Sequence, residues 1–230
     1  MNKKLMSLVL ALVMVLSLGS ALADTNSSPS TSPSTSPSTS SSTNASPVAS
    51  SSLVATAEID VDGIYSTLNV ELPADFLATV KQPGDATAEE IEAAEAAFEA
   101  INAFVEVNGL PVVEYFGLDV QAAIAEKLPL SMAADDLVLR EFTILPLNDM
   151  AAAYDPAYGG IVLPLSFAVE FTEGDVVVPV LGILDVETNV ITWIALDGVV
   201  NADGLVEITL TEEVFAQIDE GDITMLAILA

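Results

Sequence analysis

The sequence predicts an α+β fold: a predominantly antiparallel β-sandwich, Ig-like in arrangement, with two helices inserted after a first hairpin. Three observations lead there. Val176–Leu184 and Val190–Leu196 are apolar, β-branched runs on either side of the polar segment Asp185–Asn189. That is the pattern of a hairpin buried in the middle of a sheet. Turn signals separate about eight runs of this kind, as in a sandwich. Helical periodicity is confined to Thr87–Leu128, which keeps helices and strands apart in the chain.

The chain opens on a leader. Asn2, Lys3 and Lys4 precede an apolar stretch, Leu5–Leu18, and Ala21-Leu22-Ala23 is a small-x-small cleavage pattern. Residues 1–23 therefore read as a signal peptide, with secretion expected and cleavage before Asp24. Every later apolar run is interrupted by Pro, Gly or an acidic residue, so no membrane insertion is expected after cleavage. Residues 24–52 read as a disordered Ser/Thr/Pro-rich linker. They carry the near-repeat Ser28–Thr31, Ser32–Thr35 and Ser36–Thr39. Such a segment buries too little apolar surface to offset its ordering entropy.

Residues 53–230 are expected to form a single α+β domain, mixed strand and helix over 53–130 and sandwich over 131–230. Ala55–Val61 alternates, Asp62-Gly63 is a type I′ turn pair, and Ile64–Leu72 returns, which predicts a hairpin. Pro73 stops that ladder, and Pro73–Val80 suits a short helical turn. Thr87 to Glu90 is a capping box that opens a helix to Val105, striped by Ile91, Ala94, Phe98, Ile101 and Val105, with Asn108-Gly109 as its stop. Leu110–Phe116 reads as a short strand. Asp119 is expected to cap a second helix, Val120–Leu128. Leu137–Pro146 and Ile161–Phe171 read as strands, the second with Pro164 marking an edge, a bulge or a strand start. Asn201–Gly204 is a turn before the strand Leu205–Leu210, then a short helix over Thr211–Ile218 and a last apolar strand, Ile223–Leu229. Val70–Val80 and Ile208–Ile218 share a strand-to-helix corner pattern, either reused locally or left from two related halves.

Charge and missing residue types narrow the chemistry. The chain has 34 carboxylates, no His and no Cys. Loss of the leader leaves Lys81, Lys127 and Arg140, three cations against 34 carboxylates, a net charge of −31. Nucleic acid and anionic membrane surfaces need clustered cations and are excluded as partners. Without His or Cys there is no Ser-His-Asp triad, no thiol nucleophile and no zinc–thiolate site. No Gly-rich phosphate loop occurs.

The strand order PLSFAVEF, VVVPVLGILD, VITWIAL, ADGLVEITL, TMLAILA, behind a leader and a Ser/Thr/Pro linker, resembles the β-sandwich modules of secreted and surface proteins of Gram-positive gut bacteria. The resemblance spans Leu137–Ala230. It implies display, adhesion or assembly. The chain has no LPxTG-type sorting motif and no basic-tailed C-terminal span, unlike many such proteins.

Candidate ligand residues follow from oxygen chemistry. Glu58, Asp60 and Asp62 alternate ahead of Gly63, as in the first half of an EF-hand loop, but Asn69 stands where that loop needs a bidentate Glu. Asp60, Asp62, Asp135, Asp136, Asp219 and Asp222 are thus weak metal candidates, and Ca²⁺ is the one cofactor they suit. The preferred reading needs no metal: an alternating strand with a polar outer face and an Asp-Gly turn over Glu58–Gly63, and solvated loops at Asp135-Asp136 and Asp219–Asp222. Tyr154 and Tyr158, beside Gly159-Gly160, are candidate partner contacts. Trp193, inside an apolar strand, suits core packing. No catalytic residue and no organic cofactor are assigned. The expected function is that of a secreted, acidic, extracellular structural or adhesion-type module, with an unknown protein or glycan partner at the cell exterior. The alternatives are a Ca²⁺-stabilised carbohydrate-binding module and a carboxylate-dependent glycoside hydrolase.

Overall fold

Two antiparallel sheets carry nine strands in a computed structural model that describes residues 57–230. The leader and the linker lie outside the described residues. The first sheet contains β1 (Glu58–Ile59), β2 (Tyr65–Ser66), β4 (Ile161–Ser166), β7 (Asp197–Val200) and β8 (Val206–Leu210), in the order β1-β4-β8-β7 with β2 also on β4. The second is β3-β9-β5-β6, built from β3 (Leu139–Ile144), β5 (Val178–Asp185), β6 (Val190–Ala195) and β9 (Ile223–Leu229). Five α-helices complete the α+β fold among the described residues: α1 (Ala74–Leu77), α2 (Ala88–Asn108), α3 (Leu118–Lys127), α4 (Asn148–Ala152) and α5 (Glu212–Glu220).

The sheets face one another across one core. Ile161, Leu163 and Leu165 of β4 and Val206, Ile208 and Leu210 of β8 meet Leu181 and Ile183 of β5 and Leu226 and Ile228 of β9. The opposite face of the second sheet is also buried. There Val178, Val180, Met225, Ala227 and Leu229 pack under α2, α3 and a 3-10 turn at Val112–Tyr115. The architecture is therefore sheet, sheet and helices, and the second sheet is the middle layer.

The predicted central hairpin forms from Val178 to Ala195. Its turn is held by Asp185, whose Oδ1 accepts the N–H groups of Glu187 and Thr188 at 2.8 and 3.0 Å. Asn189 takes a left-handed conformation at φ 57°, one of few side chains that tolerate it. Across the hairpin Trp193 faces Gly182, where an added Cβ would come within 2.5 Å of the indole ring. Phe116 and Tyr115 close on the same ring from the helical layer, at centroid distances of 5.2 and 6.1 Å.

Helix α2 starts as expected. The Thr87 hydroxyl accepts the Glu90 N–H at 3.3 Å and the Glu90 carboxylate accepts the Thr87 N–H at 2.6 Å. It ends at Gly109, with φ 63°. Its buried line is Ala93, Ala94, Ala97, Ala100 and Ile101, displaced from the predicted stripe because small side chains let the helix lie close on the sheet.

Four expectations are corrected. The hairpin expected over Leu53–Leu72 does not form among the described residues: β1 and β2 both pair with β4, at Ile59↔Leu165 and Tyr65↔Val162. Asp60 caps a 3-10 turn, Val61–Gly63, in place of a type I′ turn. Pro164 faces that break. Its carbonyl accepts the Asp60 N–H at 3.0 Å, and having no N–H it gives nothing back, so the ladder opens there. Pro164 thus sits in an interior strand, with its donor-free side on the bulge. Leu110–Phe116 is a 3-10 turn rather than a strand, since Val112, Val113 and Phe116 are buried together on one side. Helix α3 starts at Leu118, behind the N-cap Gly117, so Asp119 lies inside its first turn and does not cap it. Finally, the run after β6 continues as β7, which crosses into the first sheet at the buried Leu196.

Candidate functional site

The acidic candidates are exposed, and two of them, Asp60 and Asp222, accept hydrogen bonds from the backbone. Asp60 Oδ1 accepts the Gly63 N–H at 3.3 Å, and Asp62 sits in the same 3-10 turn. With Glu58 they rim an open depression of about 430 Å³, lined also by Ile59, Val61 and Ser166. Asp135 and Asp136 occupy another 3-10 turn, Ala134–Asp136. Asp219 ends α5 in solvent. Asp222 Oδ2 accepts the Val186 N–H at 2.8 Å and so ties the central hairpin to the start of β9.

The three acidic pairs stay apart. Among the described residues, no three carboxylates converge in a group able to hold a metal ion. Asp185 and Asp222 both spend oxygens on backbone N–H groups. The Thr188 N–H above all holds the Asp185 carboxyl below its usual value.

The two tyrosines turn toward the core. Tyr154 stacks on Phe215 at 4.2 Å and 18°, and its hydroxyl donates to the Gly159 carbonyl at 2.8 Å. Tyr158 packs on Phe76 at 5.1 Å, and its carbonyl accepts the Ser66 hydroxyl. Both remain half-buried, so what they offer a partner is an edge rather than an open ring face.

Two polar arrangements went unmarked in the sequence. Glu207 accepts the Tyr65 hydroxyl at 3.1 Å and the Asn201 amide at 2.9 Å, joining β2, β8 and the β7–β8 turn on the outer face of the first sheet. Glu141, on β3, is only 8% exposed, and its Oε1 accepts the Val169 N–H at 3.2 Å. Burial pushes its carboxyl above the ordinary value, outweighing the lowering effects of that N–H and of Arg140. A lone acid within LVLREFTIL was the available signal. The register explains why it was ambiguous: β3 shifts between Leu139 and Glu141, so Arg140 is an extra, outward residue.

Cations are few and mostly engaged. Lys81 meets Asp149 at 2.7 Å and Lys127 meets Asp197 at 2.6 Å. Exposed pairs of this kind contribute about 0–1 kcal/mol each. Compared with protein-family models, with curated proteins and with solved structures, this chain matches none.

Proposed function

We propose that the chain is a secreted, strongly acidic extracellular interaction module of adhesion type, without catalytic activity. The observation that carries this reading is the order of its parts: a leader with an A-x-A site, a Ser/Thr/Pro linker, then a β-rich domain free of His and Cys. The linker holds the domain away from whatever anchors or precedes it, and the negative charge keeps copies apart and soluble. A second reading, a Ca²⁺-stabilised carbohydrate-binding module, rests on the depression rimmed by Glu58, Asp60 and Asp62.

Binding of the labelled, purified chain to intact cells of the producing strain tests both readings. Saturable binding that survives chelator is the expected result. Binding abolished by chelator and restored by Ca²⁺, but not by Mg²⁺, supports the second reading. Non-saturable background on every extracellular surface tried sinks the module reading.

A further inference from the structure

Strand β6 is the outer strand of the second sheet and pairs with β5 alone. Its hydrogen-bonding phase follows from one contact: the Leu196 N–H donates to the Pro179 carbonyl at 2.8 Å. In an antiparallel ladder, bonded residues alternate with residues whose polar groups point away. Val190, Thr192 and Ile194 therefore bond inward to β5. Ile191, Trp193 and Ala195 turn their N–H and C=O groups outward, and among the described residues nothing bonds to them.

The other margins are guarded. The outer side of β3 carries the Arg140 bulge and is tied to the β4–β5 connection by the Glu141–Val169 bond. The β1–β2 margin is broken by the 3-10 turn at Val61–Gly63. The β7 margin is four residues long and bears Asp197. Strand β6 has none of the usual protections against pairing: no Lys, no Pro, no charge and no bulge across its six residues. Beside it, Val186 and Val190 are 47% and 56% exposed.

We propose that the outer edge of β6 is a docking site for an extended strand of a partner protein, flanked by Lys or Arg. The unpaired backbone groups call for a β-strand. The charges select among strands. Asp185 and Glu187 stand at one end of the uncharged seam, while at the other end Asp197 is already paired with Lys127. A second copy carries the same excess of carboxylates, 34 against three cations after loss of the leader, so self-pairing on this edge is disfavoured. A strand with basic flanks meets opposite charge at the Asp185–Glu187 end and in the acidic surface as a whole. This inference deepens the interaction-module reading and rests on it.

The probe is a synthetic extended peptide of alternating Val and Thr with Lys at both ends, titrated into the full secreted chain. Trp193, the sole Trp, reports by fluorescence. Hydrogen exchange is read at the amides of Ile191, Trp193 and Ala195. Saturable binding is expected, with those three amides slowed at least tenfold. A peptide of equal charge interrupted by Pro should not bind. Two variants weaken binding at least tenfold: A195P, which removes one outward N–H, and T192K, which places a repelling cation on an exposed position without touching the core. Equal binding of the Pro-interrupted peptide, or unchanged exchange at the three amides, overturns the proposal. The cell-binding assay run on the same variants separates the two claims. Undiminished cell binding by T192K and A195P rejects the β6 edge alone, whereas no saturable binding by the wild-type chain rejects the module reading itself.

Discussion

In the first sheet β8 runs Val206, Glu207, Ile208, Thr209, Leu210, and burial alternates along it residue by residue. In the second sheet β9 runs Ile223 to Leu229 and all seven residues are buried. Both strands are interior and paired on both sides. What differs is the cover. β8 faces the sandwich core with one side and solvent with the other, while β9 has the first sheet beneath it and the α2–α3 layer above. A strand's sequence period thus reports how many of its faces are covered, a relation better known from parallel sheets between helices. Here the same device is used in an antiparallel sheet, where the helices are supplied by one insertion between β2 and β3.

The sharpest way to break the comparison is a charge on the outward side of each interior sheet. Ala227 points into the helical layer and is fully buried. Ala227→Lys leaves an unpaired ammonium there and should cost about 4 kcal/mol or more, a large part of the stability of a typical domain. Val199→Lys, on the solvent face of the first sheet opposite Glu207 and 62% exposed, should stay within about 0.5 kcal/mol of wild type. Chemical denaturation of the two variants decides it. Comparable losses would mean that the outer face of the first sheet is covered as well.

Truncation gives the next largest effect and tests the period itself. Met225→Ala and Leu226→Ala are consecutive in β9 and point to opposite layers. Each should cost about 2–5 kcal/mol. In β8, Ile208→Ala should fall in the same range while Thr209→Ala changes little. A tolerant Met225 would show that the helices cover β9 loosely and that its continuous apolar run has some other cause.

A smaller effect is expected where the middle layer is tightest. Gly182→Ala drives a methyl to within 2.5 Å of the Trp193 ring, which Phe116 and Tyr115 already hold in place. Overpacking of this kind costs about 1–3 kcal/mol. The Trp193→Phe background, which frees space at the same point, should recover part of it in a double-mutant cycle. An equal cost in both backgrounds would show that the strain comes from the backbone at position 182 rather than from the indole.

The same contrast explains what the residues revealed in advance. The central hairpin, the Thr87–Glu90 capping box and the buried last strand were legible because local signals and tertiary burial agree there. The first hairpin was not. Asp62-Gly63 is a strong turn signal, yet the partner of both flanking strands is β4, a hundred residues later, and Asp60 captures the turn with its own side chain. β7 was missed because Asp197-Gly198 reads as the end of a strand, whereas the chain continues extended through it into the first sheet after the buried Leu196. The candidate carboxylates were legible as exposed residues, and two of them, Asp60 and Asp222, bond to the backbone. The open edge of β6 could not be read from the sequence, since an edge is defined by strand order and not by composition.

The smallest effect concerns the one acid that enters the sandwich at the margin of the middle layer. Glu141 lies opposite Ile228, on the side of the second sheet that faces the first. Burial raises its folded-state carboxyl above the ordinary 4.5. A raised acid binds its proton more tightly when the chain is folded, so between 4.5 and the folded value stability falls as pH rises. Below 4.5 both states are protonated and the penalty vanishes; above the folded value it is fully present. Arg140 on the same strand and Glu170 in the facing crossover are the nearby charges, and β9 contributes none. Glu141→Gln keeps an oxygen for the Val169 N–H and removes the charge. Its thermal midpoint should exceed that of wild type at pH 7 and converge with it below pH 4.5. The general self-repulsion of the other carboxylates is common to both proteins and cancels in the difference. A gap between the two proteins that stays constant across this range would place the Glu141 carboxylate in water, and the margin of β3 would then be as open as that of β6.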